Sequence, residues 1–258
     1  MKYLLLWLEG PLQSWGYNSR FDTRLTFEFP TKSGIYGLLL ASSGDSGPQC
    51  ELLERMKDAF FLAISCVPQD KDSEKSEGYQ LRDYHMVGNG YDKNNLWENG
   101  YILRKSKILR NNEREIADMP RQTYRYYLQN KKFAVILGLE DELAKKFAAS
   151  LQEPVFDLYL GRKCCVPTRP IFQGLFTSET EARNAMLKFL AEYKTEDKQE
   201  KKLKPDKMLR EVDQSKVDSL FHSVLFLSDV PLEFGLHKRY ADRCVQIVKC
   251  EKTVSEGF

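Results

Sequence analysis

Two apolar runs of strand length, Ala59–Val67 (AFFLAISCV) and Phe133–Leu139 (FAVILGL), flank a long stretch that is polar, basic and glycine-rich. A chain that pairs these two runs in one core must push most of what lies between them outward as an arm. The surrounding elements narrow the choice further. Tyr3–Glu9 is apolar and stops at Gly10-Pro11, which predicts a buried strand. Thr31–Ser42 begins with a capping residue and continues apolar, which predicts a helix. Cys50–Asp58 reads as another helical turn or two. Gln80–Val87 and Met119–Gln129 read as strands leaving and re-entering the core, with Gly88–Gly100 a loop. Asp141–Leu151 carries Leu143, Phe147 and Leu151 on one helical face. Phe172–Thr177 reads as a closing strand, and Ser178–Leu190 as a helix with Ser178 as cap and Glu181 three residues on.

Through Thr177 the order is strand, helix, strand, strand, helix, strand, the ferredoxin-like split βαβ order. The fold expected is α+β: a ferredoxin-like, RRM-like core over 1–177, with a basic β-hairpin thumb inserted at about 80–130. Residues 178–258 are expected to form a C-terminal extension. It would hold a helix, a charged linker and two strands, Phe221–Ser228 and Arg239–Lys249. The linker is Lys194–Lys216, where 8 basic and 6 acidic residues and Pro205 suggest an exposed loop with no chemistry of its own.

Charge separates the arm from the rest. The formal net charge of the chain is only +2, from 39 Lys+Arg and 37 Asp+Glu. Gln80–Lys132 holds 11 Lys+Arg against 6 Asp+Glu, a net of +5, which leaves −3 for the remainder. A basic segment is the electrostatic footprint expected for a polyanion. This one also carries Tyr84, Tyr91, Trp97, Tyr101, Tyr124, Tyr126 and Tyr127. Cations hold phosphates and flat rings stack on exposed bases. The competing reading is a solvated hairpin with its tyrosines packed on a neighbour.

Other chemistry finds little support. The six cysteines form no C-x-x-C pair, and the three histidines (His85, His222, His237) are scattered, so no metal and no cofactor are expected. Cys164 and Cys165 are adjacent and read as packing residues. No apolar run approaches the ~20 residues of a membrane span. A cytoplasmic protein with no membrane partner is expected.

Five blocks carry a resemblance: LEGPLQSWG (Leu8–Gly16), FPTKSGIYGLL (Phe29–Leu39), LRDYH (Leu81–His85), TYRYYL (Thr123–Leu128) and YLGRKCCVPTRPIF (Tyr159–Phe172). In this order they resemble the fifth family of CRISPR-associated proteins, in its type I-E branch. The resemblance covers roughly the first two thirds of the chain. It implies a RAMP-type core with a protruding thumb, in a noncatalytic subunit of the Cascade surveillance complex of antiviral defence. Such subunits hold the repeat-derived 5′ handle of the crRNA. They contact the Cascade backbone subunit and the Cascade large subunit, and meet target DNA only indirectly through the complex, where base pairing reads the sequence.

The same blocks, and basic residues in the segments between them, nominate RNA-binding residues. Gln13 and Trp15 lie in the loop after the first strand, where core packing competes with RNA contact. Arg20 and Arg24 precede the helix that starts at Thr31, Lys32 and Ser33, and its backbone N–H groups are a natural phosphate site unless Thr31 is a simple cap. Arg82, Tyr84 and His85 sit where the arm leaves the sheet. Strand alternation puts Arg82 and Tyr84 on one face, Asp83 and His85 on the other. Arg104, Lys105, Lys107 and Arg110 form the densest basic cluster, followed by Arg121, Tyr124 and Arg125 on the returning strand. Arg162 and Lys163 follow Gly161 in the last block, where glycine would admit a phosphate. The alternative function is a metal-independent endoribonuclease that processes CRISPR repeat RNA, with His85 as base and Tyr84 and Tyr124 nearby.

Overall fold

The computed structural model describes residues 1–17, 19, 22–69, 80–87, 105–108, 114–117, 121–194, 202–213 and 224–250. In chain order the strands are β1 (Lys2–Glu9), β2 (Leu12–Gln13), β3 (Trp15–Gly16), β4 (Thr23–Arg24), β5 (Thr26–Phe27), β6 (Phe60–Pro68), β7 (Gln80–Val87), β8 (Lys105–Ile108), β9 (Arg114–Ala117), β10 (Arg121–Gln129), β11 (Lys132–Leu139), β12 (Phe172–Phe176), β13 (Leu203–Glu211), β14 (Val224–Glu233) and β15 (Arg239–Lys249). The helices are α1 (Lys32–Ser43), α2 (Cys50–Met56), α3 (Asp141–Ser150) and α4 (Glu179–Ala191).

Seven strands form one sheet in the order β12-β1-β11-β6-β13-β15-β14. Every neighbouring pair in it is antiparallel. The continuous apolar run of β1 follows from burial on both faces. Leu4, Leu6 and Leu8 pack with Ile35, Leu39, Leu143 and Phe147 of α1 and α3. Leu5 and Trp7 point the other way, toward Ala182, Met186 and Leu190 of α4. The caps are where the sequence places them. Thr31 Oγ1 accepts from Gly34 N, and α1 ends at Gly44 with φ 74°. Ser178 Oγ accepts from Glu181 N, while Glu181 reaches back to the Thr177 amide.

The arm leaves the sheet as an antiparallel pair, β7 with β10, running from Gln80 opposite Leu128 to Val87 opposite Arg121. The other side of β10 is paired in two separate pieces. Parallel β4 meets it at Tyr124 and Arg125, and antiparallel β2 at Leu128 and Gln129. Between β7 and β10 in the sequence, β8 and β9 pair with each other. The loop expected at Gly88–Gly100 lies outside the described residues.

One expectation is corrected. Residues 203–211 of the charged stretch are not a loop: β13 is an interior strand, paired with β6 on one side and β15 on the other. A register shift between Pro205 and Lys207 hides it in the sequence. A bulge inserts one residue and flips the side-chain parity that follows. Leu203 therefore packs on the α4 face and Leu209 on the α1 face, although an even offset in sequence would put both on one face of a regular strand. Pro205 sits at that irregularity, where its missing N–H costs least.

Candidate nucleic-acid interface

Three of the motif blocks fold against one another. Gly161 has φ 97°, and a Cβ there would lie 1.7 Å from the Ser14 carbonyl oxygen. Ser14 N donates to Leu160 O at 3.0 Å, so the two loops touch backbone to backbone. At Gly10 a Cβ would meet the Val166 carbonyl at 2.6 Å. Trp15 has no exposed surface and lies on Gly34, where a Cβ would come within 2.8 Å of its ring. Gly10, Gly34 and Gly161 thus admit protein backbone and an indole rather than phosphate.

Gln13 is likewise inaccessible. Its Nε2 donates to the carbonyls of Leu8 (3.2 Å) and Lys131 (2.7 Å), and its Oε1 accepts from Trp15 Nε1. Burial with satisfied partners replaces the RNA contact expected of Gln13 and Trp15. The start of α1 is corrected in the same way. An anion does sit there, but it belongs to the protein: Asp229 Oδ2 accepts from Lys32 N at 2.7 Å. Lys32 Nζ is buried and donates to Lys57 O and to Glu211 Oε1. Burial holds its pKa below the ordinary lysine value, and Glu211 opposes that. Thr31 is a buried cap, and Ser33 Oγ turns to Thr31 Oγ1.

Arg243 closes this buried cluster. Its guanidinium binds both oxygens of Asp229 at 2.6 and 2.7 Å, and Glu211 at 2.7 Å. Burial works against its charge, but the two carboxylates outweigh it and push the pKa up. Sequence reasoning missed this cluster, because its members come from α1 and three late strands.

The arm root is different. Tyr84 and Tyr124 stand directly opposite in the ladder, with ring centroids 5.5 Å apart. The Arg82 guanidinium lies 5.5 Å from the Tyr124 centroid. Arg82, Tyr84 and Met86 are all exposed, Tyr84 by 49%. One face of the root therefore presents a cation, two rings and a thioether to solvent. On the opposite face, His85 Nε2 contacts Asp83 Oδ2, and Arg125 stands across from Asp83. The alternation read from the sequence holds, and it separates His85 from Tyr84 and Tyr124.

Arg24 is exposed at the end of β4, and Lys163 is exposed beside Arg162. Arg162 Nη1 and Nη2 each donate to a backbone carbonyl, of Tyr126 and of Arg24. Cys165 is buried, with its thiol pushed up to about 12 by burial first, which suits a packing residue. Arg20, Arg104 and Arg110 lie outside the described residues, as do the side chains of Lys105, Lys107 and Arg121. Among the described residues, no three His, Cys, Asp or Glu side chains cluster as a metal site would need. No described helix is long and apolar enough to cross a membrane.

The profile described as CRISPR-associated protein (Cas_Cas5) matches residues 3–227. The chain belongs to this family. A curated relative, the CRISPR system Cascade subunit CasD of Escherichia coli (strain K12), is 31% identical over 176 residues, which is 67% of this chain and 70% of that protein. Two solved structures share the fold. One, titled a CRISPR RNA-guided surveillance complex, has a TM-score of 0.64 at 24% identity, covering 96% of this chain and 89% of that one. The other, titled a crystal structure of a Cas protein, has a TM-score of 0.58 at 24% identity, covering 96% and 94%. The Cas_Cas5 match spans the arm and β13 and reaches the start of β14, while β15 lies beyond it.

Proposed function

We propose that this Cas_Cas5 chain is a noncatalytic RNA-binding subunit of a type I-E surveillance complex of the Cascade kind. In this reading it holds the 5′ handle of the crRNA and links the backbone subunit to the large subunit in antiviral defence. The observation that carries the reading is the face at the arm root where exposed Arg82 and Tyr84 lie beside the half-buried Tyr124. Paired rings with a neighbouring cation suit splayed-out bases and their phosphates, which is how single-stranded RNA is held. The similarity to CasD supports the assignment to a complex. The order β12-β1-β11-β6, all antiparallel, supports a ferredoxin-like core, since it is the order a split βαβ unit makes. Residues 1–177 then carry the RNA-binding core and arm, and the strands after α4 widen its sheet.

The endoribonuclease alternative asks His85, Tyr84 and Tyr124 to converge on one phosphodiester. A base and an acid must reach the same reacting atoms. The ladder puts His85 on the face opposite the two tyrosines, which favours binding over cleavage.

Fluorescence anisotropy with labelled single-stranded repeat RNA tests the face. Loss of one stacked base costs about 1–3 kcal/mol. Tyr84→Ala and Tyr124→Ala should each weaken binding about tenfold, while Asp83→Asn, on the other face, should bind within about twofold of wild type. Equal losses from both faces, or none from the tyrosines, would refute the assignment.

A further inference from the structure

We propose that Arg162 is a positioning residue that stands in for missing backbone on the outer side of β10 and sets the pitch of the arm. On that side of β10, β4 pairs at Tyr124 and Arg125 and β2 pairs at Leu128 and Gln129. The carbonyl of Tyr126 falls in the gap between them. Arg162 Nη1 fills the gap, donating to Tyr126 O at 3.2 Å, and Nη2 donates to Arg24 O, the last carbonyl of β4, at 3.0 Å. Ser14 Oγ approaches the same Tyr126 carbonyl at 3.4 Å. The planar fork thus extends the β4–β10 seam one carbonyl beyond its last ladder pair, Arg24 with Arg125, and an ammonium cannot reproduce that geometry.

The clamp is held rigidly from behind. The Arg162 guanidinium lies 4.7 Å from the centroid of the buried Tyr127 ring. The loop that carries it is closed by Cys165 N donating to Arg162 O at 2.8 Å and Leu160 N to Cys165 O at 2.7 Å. Gly161 presses it against Ser14. Core loop, β4 and β10 therefore meet at one side chain. Tyr124, which carries the aromatic face, lies two residues from the clamped carbonyl.

The consequence for RNA rests on the interface proposed above, and the clamp itself does not. Two readouts separate positioning from phosphate contact. A lost phosphate contact lowers the slope of log affinity against log salt by about 0.7 for a single strand. A lost positioning contact leaves that slope unchanged and loosens the arm. The experiment compares Arg162→Lys, Arg162→Gln and Lys163→Gln in the full chain, by amide hydrogen exchange and by binding of labelled single-stranded repeat RNA across a salt series.

Arg162→Lys keeps the charge and should still raise amide exchange over Tyr124–Leu128 about tenfold and weaken RNA binding about tenfold, with the wild-type salt slope. Arg162→Gln should behave alike. Lys163→Gln should leave arm exchange unchanged. Wild-type arm exchange in Arg162→Lys overturns the clamp. So does a lowered salt slope in Arg162→Gln with the arm unperturbed, which would make Arg162 a phosphate ligand. Should wild type fail to bind the RNA, the interface assignment fails, and exchange still decides the clamp. Arg162→Lys remains informative even if Arg162→Gln does not fold.

Discussion

Gly161→Ala is expected to lower the thermal midpoint of the chain by about 10 °C or to abolish soluble expression. The added Cβ would stand 1.7 Å from the Ser14 carbonyl oxygen, and φ at 97° already strains any L side chain. Neither partner can swing aside, because both are backbone and are joined by the Ser14–Leu160 hydrogen bond. Relief requires the two loops to separate, which withdraws Arg162 from β10 and uncovers Trp15. Losses of this kind reach about 4 kcal/mol or more. At roughly 2–4 °C per kcal/mol for a domain of this size, the shift is large and easily read by calorimetry. A midpoint within 2 °C of wild type would show that the loops do not meet as described. Gly16, with open space around its Cβ position, is the matched control.

Arg243→Ala is the second severe case. It strips the fork from Asp229 and leaves that carboxylate with only the Lys32 amide among the contacts described above. It also removes one of the two cations that hold Glu211. Deleting one partner of a buried ion pair costs about 3–5 kcal/mol, because the other charge stays buried. Since the cluster joins α1 to β13, β14 and β15, the late strands should loosen first. Asp229→Asn keeps the shape and an acceptor for Lys32 N, so it should cost less. Urea denaturation of the three proteins gives the order wild type, Asp229→Asn, Arg243→Ala. An Arg243→Ala midpoint equal to wild type would show that the cluster is not a structural joint.

The particular residues show which features were legible. The runs that became β1, β6 and β11 are continuous because both faces of the sheet are covered, and continuous apolar runs are easily seen. Caps are local, so Thr31 and Ser178 announced α1 and α4. The alternation at Arg82, Asp83, Tyr84 and His85 is local too, and it placed the aromatic face. Strand β13 was not legible, because its bulge resets the period between Leu203 and Leu209 and its charges lie where solvent reaches them. The roles of Gln13, Lys32 and Arg162 were not legible for another reason. A polar residue in a motif looks the same whether its partner is a phosphate or a carbonyl from a distant strand. Gln13 finds its partner at Lys131, Lys32 at Asp229, and Arg162 at Tyr126. Those pairings are products of topology, and no local window contains them.

This Cas_Cas5 chain is expected to bind repeat-derived RNA without cutting it. The most direct measurement incubates the purified chain with end-labelled repeat RNA in EDTA and splits the sample between native and denaturing gels. The expected result is a salt-sensitive shift with intact RNA, weakened in the Tyr84→Ala Tyr124→Ala double variant. A discrete product that disappears with His85→Ala, or no shift at any salt concentration, would contradict it.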